Sequence, residues 1–368
     1  MPWLATKVPT TTHFERRSVM FPIVAEKYKF VVGVDTHARK HVVSVINNLG
    51  TVIDRREFRV LTIDINKFIN WSLRIAQGEN VLFAIEGTSS YGETLTNALL
   101  TRNLSVVEVR PPRIKSRGGD GKTDQIDSEL AALGVLRLPL NKLITPRTGC
   151  DRKLLRVLLG SRRLIITQQI MNKNALIALL RGSELGVDAR QPLAYTDYQT
   201  IANWKIRKND QFSLIRTEAR RIAKSVLVMH NELVDNKVTL YGIVSKLAPD
   251  LLEQPGIGPI TLAQVICSYS HKGRIHSAEA FASLAGTTPI PASSGNTSHY
   301  RLNHYGDRQL NHALTTIVLC RMRTDEITMK YVIKRTRDGL STRDIKRSLK
   351  RYLARSLFKQ LEAYNIMV

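Results

Sequence analysis

The sequence has few cysteines, fewer acidic than basic residues, and no long apolar run. Its three cysteines lie far apart without a CxxC pair, which argues against a disulfide framework or a zinc site. No apolar run reaches the roughly 18 residues of a membrane-spanning helix. Residues 1–27 lack a signal peptide's order of charge, apolar block and cleavage site. We therefore expect a loosely ordered extension on a protein of the reducing cytoplasm.

The shortage of acidic residues leaves the chain strongly basic. There are 55 Lys and Arg residues against 31 Asp and Glu, so the net charge is +24 and the pI about 10.2. Such an excess favours binding to nucleic acid, because each neutralised phosphate releases counterions. With 368 residues, 43% of them hydrophobic, the chain is long enough for two or three domains with apolar cores.

After the extension, the first third of the chain alternates between strand and helix patterns. Three strands are expected within residues 29–60, and further strands are expected at 80–88 and 104–110. Helical spacing of apolar residues appears between and after them. This order predicts an α/β domain over residues 28–145, with a mixed five-stranded sheet of the ribonuclease H type and helices on both faces.

Four acidic residues occupy positions that such a sheet brings together. Asp35 ends the first strand, Glu86 ends the fourth, and Asp124 and Asp127 lie three residues apart at the start of a helix. Clustered carboxylates repel unless cations neutralise them, and oxygen ligands suit Mg²⁺ or Mn²⁺. Two such ions about 4 Å apart can promote phosphoryl transfer. Alternatively, each acid is only a turn former or a helix cap.

The remaining two thirds of the chain read as mainly helical. Apolar residues at helical spacing predict a helical region over 146–250, either an oligomerising coiled coil or a spacer within one chain. The C-terminal domain, 251–368, begins with "PGIGPITLAQVI", which is typical of a helix-hairpin-helix. Gly256 and Gly258 would let backbone N–H groups approach a DNA phosphate, unless the step is a plain glycine turn.

Two basic segments are candidates for further phosphate contacts. One is the loop "PPRIKSRGGDGK", and the other is the basic face of the last helix, over residues 344–361. A basic face can also be no more than a solvated surface. We expect nucleic-acid contacts from Arg113, Lys115, Arg117, Lys122, Lys350 and Arg351.

Five segments occur along the chain in an order that resembles that of a known protein family. They are "VGVDTHARKHVVSVIN", "FAIEGTSSYG", "KTDQIDSELAAL", "QPGIGPITLAQVI" and "PASSGNTSHYRLNHYGDRQLNHAL". From about residue 28 to 360 the chain resembles the DEDD transposases of insertion sequences, which are understood as bridge-RNA-guided serine recombinases. Two departures are Ser128, where the family usually has Ala, and the two histidines of "SHYRLNHYG".

The resemblance implies a DNA-recombining enzyme that combines a metal site with a serine nucleophile. The four acids named above match the family's metal-binding residues. Ser294, or Ser293 if the alignment shifts by one residue, corresponds to the nucleophile. Activated near the metal, the serine would hold one DNA end as a phosphoserine while strands exchange. Arg301 and Arg308 would hold phosphates.

The resemblance also implies the partners. These are donor and target DNA, a structured noncoding guide RNA whose base pairing selects the sequence, and further copies of the chain in a homodimer or homotetramer. A membrane is not among them, and we expect a prokaryotic cytoplasmic protein associated with the nucleoid. Two alternatives stay open. One is a metal-dependent junction nuclease that uses water and no serine, and the other is a non-catalytic nucleic-acid-binding protein.

Overall fold

The computed structural model describes residues 22–110, 124–147, 149–183, 185–206, 212–292, 300–301, 303 and 305–364. The chain divides into two compact units, Met1–Arg147 and Thr148–Val368. The second unit contains both the predicted helical region and the predicted C-terminal domain, so a boundary near residue 250 stays a prediction. Within the described ranges, every helix is too short or too polar to span a bilayer.

The first unit is an α/β structure around one sheet. Its elements are α1 (Val24–Lys27), β1 (Phe30–Thr36), β2 (Lys40–Asn47), β3 (Val52–Arg59), α2 (Thr62–Ala76), β4 (Val81–Glu86), α3 (Glu93–Leu100), β5 (Ser105–Val109) and α4 (Asp124–Leu136). The strand order is β3-β2-β1-β4-β5, with β1 antiparallel to β2 and parallel to β4. The predicted mixed five-stranded sheet is confirmed.

Helices cover both faces of this sheet, because side chains on the central strands alternate between two apolar layers. Val32, Val34 and Phe83 belong to the layer packed against α2 and α3. Val31 and Ala84 belong to the opposite layer, packed against α4. Burial on both faces is the property expected of central strands.

Gly33 allows α4 to pack directly on β1. A Cβ atom there would lie 2.8 Å from the backbone nitrogen of Ala132 and would also collide with the carbonyl oxygen of Ser128. The Ser128 hydroxyl donates to the Gln125 carbonyl oxygen, and its oxygen lies 2.6 Å from the hydroxyl of Ser44 on β2. The serine that departs from the family pattern therefore links α4 to the sheet.

The second unit is mainly helical, as predicted. Its elements are α5 (Cys150–Arg181), α6 (Tyr195–Ala202), α7 (Ser213–Leu247), α8 (Pro249–Leu252), α9 (Pro259–Tyr269), α10 (Ala278–Leu284), β6 (Ile290–Pro291), β7 (Tyr300–Arg301), α11 (Arg308–Thr324), α12 (Glu326–Arg337) and α13 (Thr342–Ala363). Neither α12 nor the pairing of β6 with β7 was predicted from the sequence.

The two long helices, α5 and α7, pack antiparallel through polar contacts to backbone. Arg162 of α5 donates to the Leu233 carbonyl oxygen at 2.8 Å, and Asn236 of α7 donates to the Leu158 carbonyl oxygen at 3.0 Å. An apolar core around the fully buried Tyr269 joins the start of α5, through Leu155, and the end of α7, through Val244, to the helices that follow.

His41 on β2 predicts a specific acid sensitivity of the first unit. It is 2% exposed, and neither ring nitrogen has a hydrogen-bond partner among the described residues. Burial, reinforced by the nearby His37 and opposed more weakly by the backbone of Lys40, lowers the pKa of His41 from 6.5 to about 4. The unfolded chain therefore binds more protons between these values, so stability is complete above pH 6.5 and declines as pH falls toward 4.

We expect the free energy of unfolding to lose about 3 kcal/mol across this window through His41 alone. Urea denaturation of the wild type and His41→Leu at pH 7 and pH 4.5 measures the difference. The variant should lose less stability on acidification. His276→Leu, which replaces an exposed histidine, is the control. Equal acid sensitivity of wild type and His41→Leu would contradict the assignment.

Candidate functional site

The candidate site lies where the parallel strands β1 and β4 end side by side. Val34 pairs with Ile85, so the next residues, Asp35 and Glu86, are neighbours. The Thr36 hydroxyl donates to the Glu86 carbonyl oxygen at 2.8 Å, which ties the two strand ends together. By alternation both acidic residues belong to the face that α4 covers.

The first turns of α4 add two carboxylates, Asp124 and Asp127, and His37, which was not among the predicted site residues, lies beside them. The Nε2 atom of His37 lies 3.0 Å from Asp35 Oδ2 and 3.5 Å from Asp124 Oδ2. Ligand atoms of these three residues all lie within 4.8 Å of one another. Asp127, one turn further along α4, is buried.

The carboxylates are close enough to influence one another. Burial raises the pKa of Asp35 above its ordinary value. His37 opposes this rise through its charge and hydrogen bond, whereas the negative charges of Asp124 and Asp127 add to it. A carboxylate that is 8% exposed and surrounded by like charges is stabilised in its ionised form by a cation. The donor set of this site therefore suits a divalent metal.

His37 changes the chemistry expected of the site. The only sequence signal was its place two residues after Asp35, in the turn between β1 and β2. Imidazole nitrogen suits transition metals better than Mg²⁺, which prefers oxygen ligands. The imidazole therefore widens the range of divalent metals that this donor set suits.

Several predicted site residues lie outside the described residues, and their roles stay predictions. They are Ser293, Ser294, Arg113, Lys115, Arg117 and Lys122.

The two glycines of the predicted hairpin contact their own unit. Gly256 has a φ of +77° and packs against the backbone of α11. The N–H of Gly258 donates to the Thr261 hydroxyl oxygen at 3.1 Å. That N–H is therefore already used within the fold, and a phosphate contact at this hairpin stays a prediction.

The remaining predicted phosphate-binding residues are brought together in the second unit. Arg301 on β7, Arg308 on α11, and Lys350 and Arg351 on α13 line one cavity of about 570 Å³. Arg347 and Tyr300 line it as well. We call this the basic cavity, and its cations were far apart in the sequence.

Two family models match the chain. A model of DEDD transposases of the IS110 type, described as "Transposase", matches residues 32–183. A second model, "Transposase IS116/IS110/IS902 family", matches residues 248–332. The chain belongs to the IS110 family of DEDD transposases. No curated protein matched it. The first match includes all four predicted acids, and the second includes the Ser-Gly segment, so this transposase is an enzyme that acts on DNA.

The site geometry predicts that His37 contributes to metal binding by the transposase. We expect His37→Ala to weaken Mn²⁺ binding about tenfold or more, since even supporting residues of metal sites contribute that much. Titration of the protein with Mn²⁺, followed by electron paramagnetic resonance of the free ion, measures the dissociation constant. Mg²⁺ affinity, obtained by competition, should change less because oxygen ligands dominate its binding.

Asp124→Asn serves as a second variant of the same site, and His276→Ala replaces an exposed histidine elsewhere. Wild-type Mn²⁺ affinity in His37→Ala, alongside a loss in Asp124→Asn, would mean that the imidazole only orients Asp35.

Proposed function

We propose that this transposase is an RNA-guided DNA recombinase that uses a divalent cation and a phosphoserine intermediate. Ser294 is the proposed nucleophile. Its hydroxyl gives up its proton as its oxygen forms a bond to the scissile phosphorus, one bridging P–O bond of the DNA breaks, and the departing DNA oxygen takes up a proton. Because the phosphoserine keeps the energy of the broken bond, the strand can be rejoined without a nucleotide cofactor.

The observation that supports cation-dependent chemistry is the convergence of Asp35, His37 and Asp124 at the ends of β1 and α4. Carboxylates there would hold the cation, and a bound cation supplies positive charge to the scissile phosphate. Burial disfavours the ionised form of Asp35, and a bound cation would favour it.

The proposed RNA guide is supported by the family resemblance and by the charge of +24. A chain with this excess of cations can hold DNA and RNA phosphates at once. Base pairing of the guide would then select the target sequence.

A second candidate function is a metal-dependent nuclease that uses water. The acid cluster favours it as strongly as it favours the recombinase, because water and serine need the same cation. The two differ only in whether a covalent protein–DNA intermediate forms.

Trapping of that intermediate tests the proposal. Protein, Mg²⁺ or Mn²⁺, labelled donor DNA and the noncoding RNA that flanks the element are mixed and separated on a denaturing gel. We expect a protein–DNA adduct that Ser294→Ala abolishes and Ser293→Ala retains, since only the nucleophilic oxygen forms the bond. Omission of the RNA should remove the adduct.

Cleaved DNA without an adduct, unchanged by either serine variant, would favour the water-using nuclease. Asp35→Asn should remove both cleavage and adduct in either case, and DNA binding as the sole activity would point to a non-catalytic protein.

We also propose that the chain acts as a homo-oligomer through α5 and α7. Val157, Leu164 and Met171 are exposed on α5 at seven-residue spacing, which aligns them in one row. On α7, Val234 and Val238 are exposed as well. Rows of exposed apolar side chains on long helices are suited to pairing with another helix.

A charge in this row should weaken self-association. We expect Leu164→Glu, at a position 74% exposed, to shift the protein toward monomer in light scattering, because the carboxylate would be buried at the interface. Leu214→Glu, at a position 81% exposed near the start of α7, should have little effect. Equal behaviour of the two variants would place the interface elsewhere.

A further inference from the structure

The basic cavity has a wall fixed by close backbone contacts and is not a loose surface depression. Gly306 packs against Gly286 so tightly that a Cβ atom on Gly306 would overlap its backbone. The N–H of Asp307 donates to the Leu284 carbonyl oxygen at 2.6 Å, and Asn311 donates to the Ala285 carbonyl oxygen at 2.7 Å. The end of α10 and the start of α11 therefore form one rigid wall.

The acidic residues of this cavity are occupied by partners inside the fold. Asp307 accepts hydrogen bonds from backbone N–H groups of α11 through one oxygen and from the Ser268 hydroxyl, at 2.7 Å, through the other. Asp344 accepts from Arg347 at 3.0 Å and from Ser341 at 2.5 Å. Among the described lining residues these are the only two acids. The cavity keeps an excess of positive charge.

Lys350 is the cation most closely held by the wall. Its Nζ donates to Asn311 Oδ1 at 3.0 Å, so the same Asn311 that anchors α11 to α10 also orients the ammonium group. Burial, together with the nearby charge of Arg347, lowers the pKa of Lys350. A desolvated ammonium beside other cations is stabilised when an anion binds.

Arg351 follows Lys350 on α13 and carries an unsatisfied donor. Its Nε is buried and has no hydrogen-bond partner among the residues described. The guanidinium lies over the ring of Tyr352, 5.8 Å from the centroid, which restricts its motion. An anionic acceptor in the cavity would strengthen the position of this side chain, since guanidinium groups bind phosphate oxygens in pairs.

Tyr300 adds an aromatic surface to the rim of this charged cavity. It lies on β7 directly before Arg301 and is 69% exposed. Exposed aromatic rings beside cations are the usual platform on which an unpaired base stacks, because every base presents a π-face. Inorganic anions or phosphopeptides would make no use of this ring.

We propose that the basic cavity binds one unpaired nucleotide of a DNA strand, with the backbone phosphate held by Lys350, Arg351 and Arg308 and the base stacked on Tyr300. The inference rests on the proposed function, which makes a cleaved DNA strand the substrate. It adds a residue-level anchor for that strand within the second unit. A duplex cannot present a free base face to Tyr300, so the anchor selects single strands.

Binding of a fluorescent oligothymidylate of about ten nucleotides tests the inference without any cleavage. Anisotropy is measured on the full chain over a range of salt concentrations. We expect Tyr300→Ser to lower the affinity about 5- to 150-fold, the range for loss of one stacked base, and Tyr300→Phe to restore it. Lys350→Met should reduce the salt slope by about 0.7, the value for one phosphate contact on a single strand, whereas Lys350→Arg should not.

Two matched controls separate the cavity from the general charge of the chain. Lys359→Met removes a charge from an exposed position of α13 outside the cavity. Tyr305→Ser removes a ring that is more exposed than that of Tyr300 but does not line the cavity. Thermal unfolding checks that each variant is folded. Equal losses in cavity and control variants would overturn the inference.

The failure of the inference and of the proposed function give different results. If the wild type binds tightly and no cavity variant weakens binding, the cavity is not the binding site, but the proposed recombinase function is unaffected. If the wild type does not bind DNA, both the inference and the proposed function are contradicted. If the cavity variants lose more affinity for an oligouridylate of the same length than for the DNA, the assignment to DNA is overturned and the cavity is assigned to RNA.

Discussion

The direct packing of α4 on β1 at Gly33 is the contact on which the candidate metal site depends. Asp35 belongs to a strand, whereas Asp124 and Asp127 belong to a helix, so their distance is set by how closely the two elements approach. A side chain at residue 33 would separate them, because Ser128 and Ala132 already occupy that space. The distance between the acids is therefore set by Gly33, two residues before Asp35 on the same strand.

This explains which parts of the site were predictable from the sequence. Strand order and the approach of Asp35 to Glu86 follow from hydrophobic patterning, since the ends of neighbouring parallel strands meet at one edge. His37 was missed because it lies in a turn, where no periodicity constrains the direction of a side chain. Its relation to Asp124 depends on the packing of α4, which patterning does not determine.

The second unit shows the same division. The long amphipathic helices α5, α7 and α13 were predictable from helical spacing of apolar residues. The pairing of β6 with β7 was not, because two-residue strands carry no pattern. Arg301, Arg308 and Lys350 come together through tertiary contacts, among them the close approach of Gly306 to Gly286 and the hydrogen bond from Lys350 to Asn311. The sequence indicated them as basic residues, but not as neighbours.

The two candidate sites share one energetic property. Burial disfavours the charged form of Asp35 and of Lys350, and neighbouring like charges, Asp124 and Asp127 in the first case and Arg347 in the second, add to this effect. A cation at the first cluster and a phosphate at the second would remove the repulsion. Binding of such ligands would then stabilise each unit by mass action, so the folded state would be linked to the cation and to the nucleic acid.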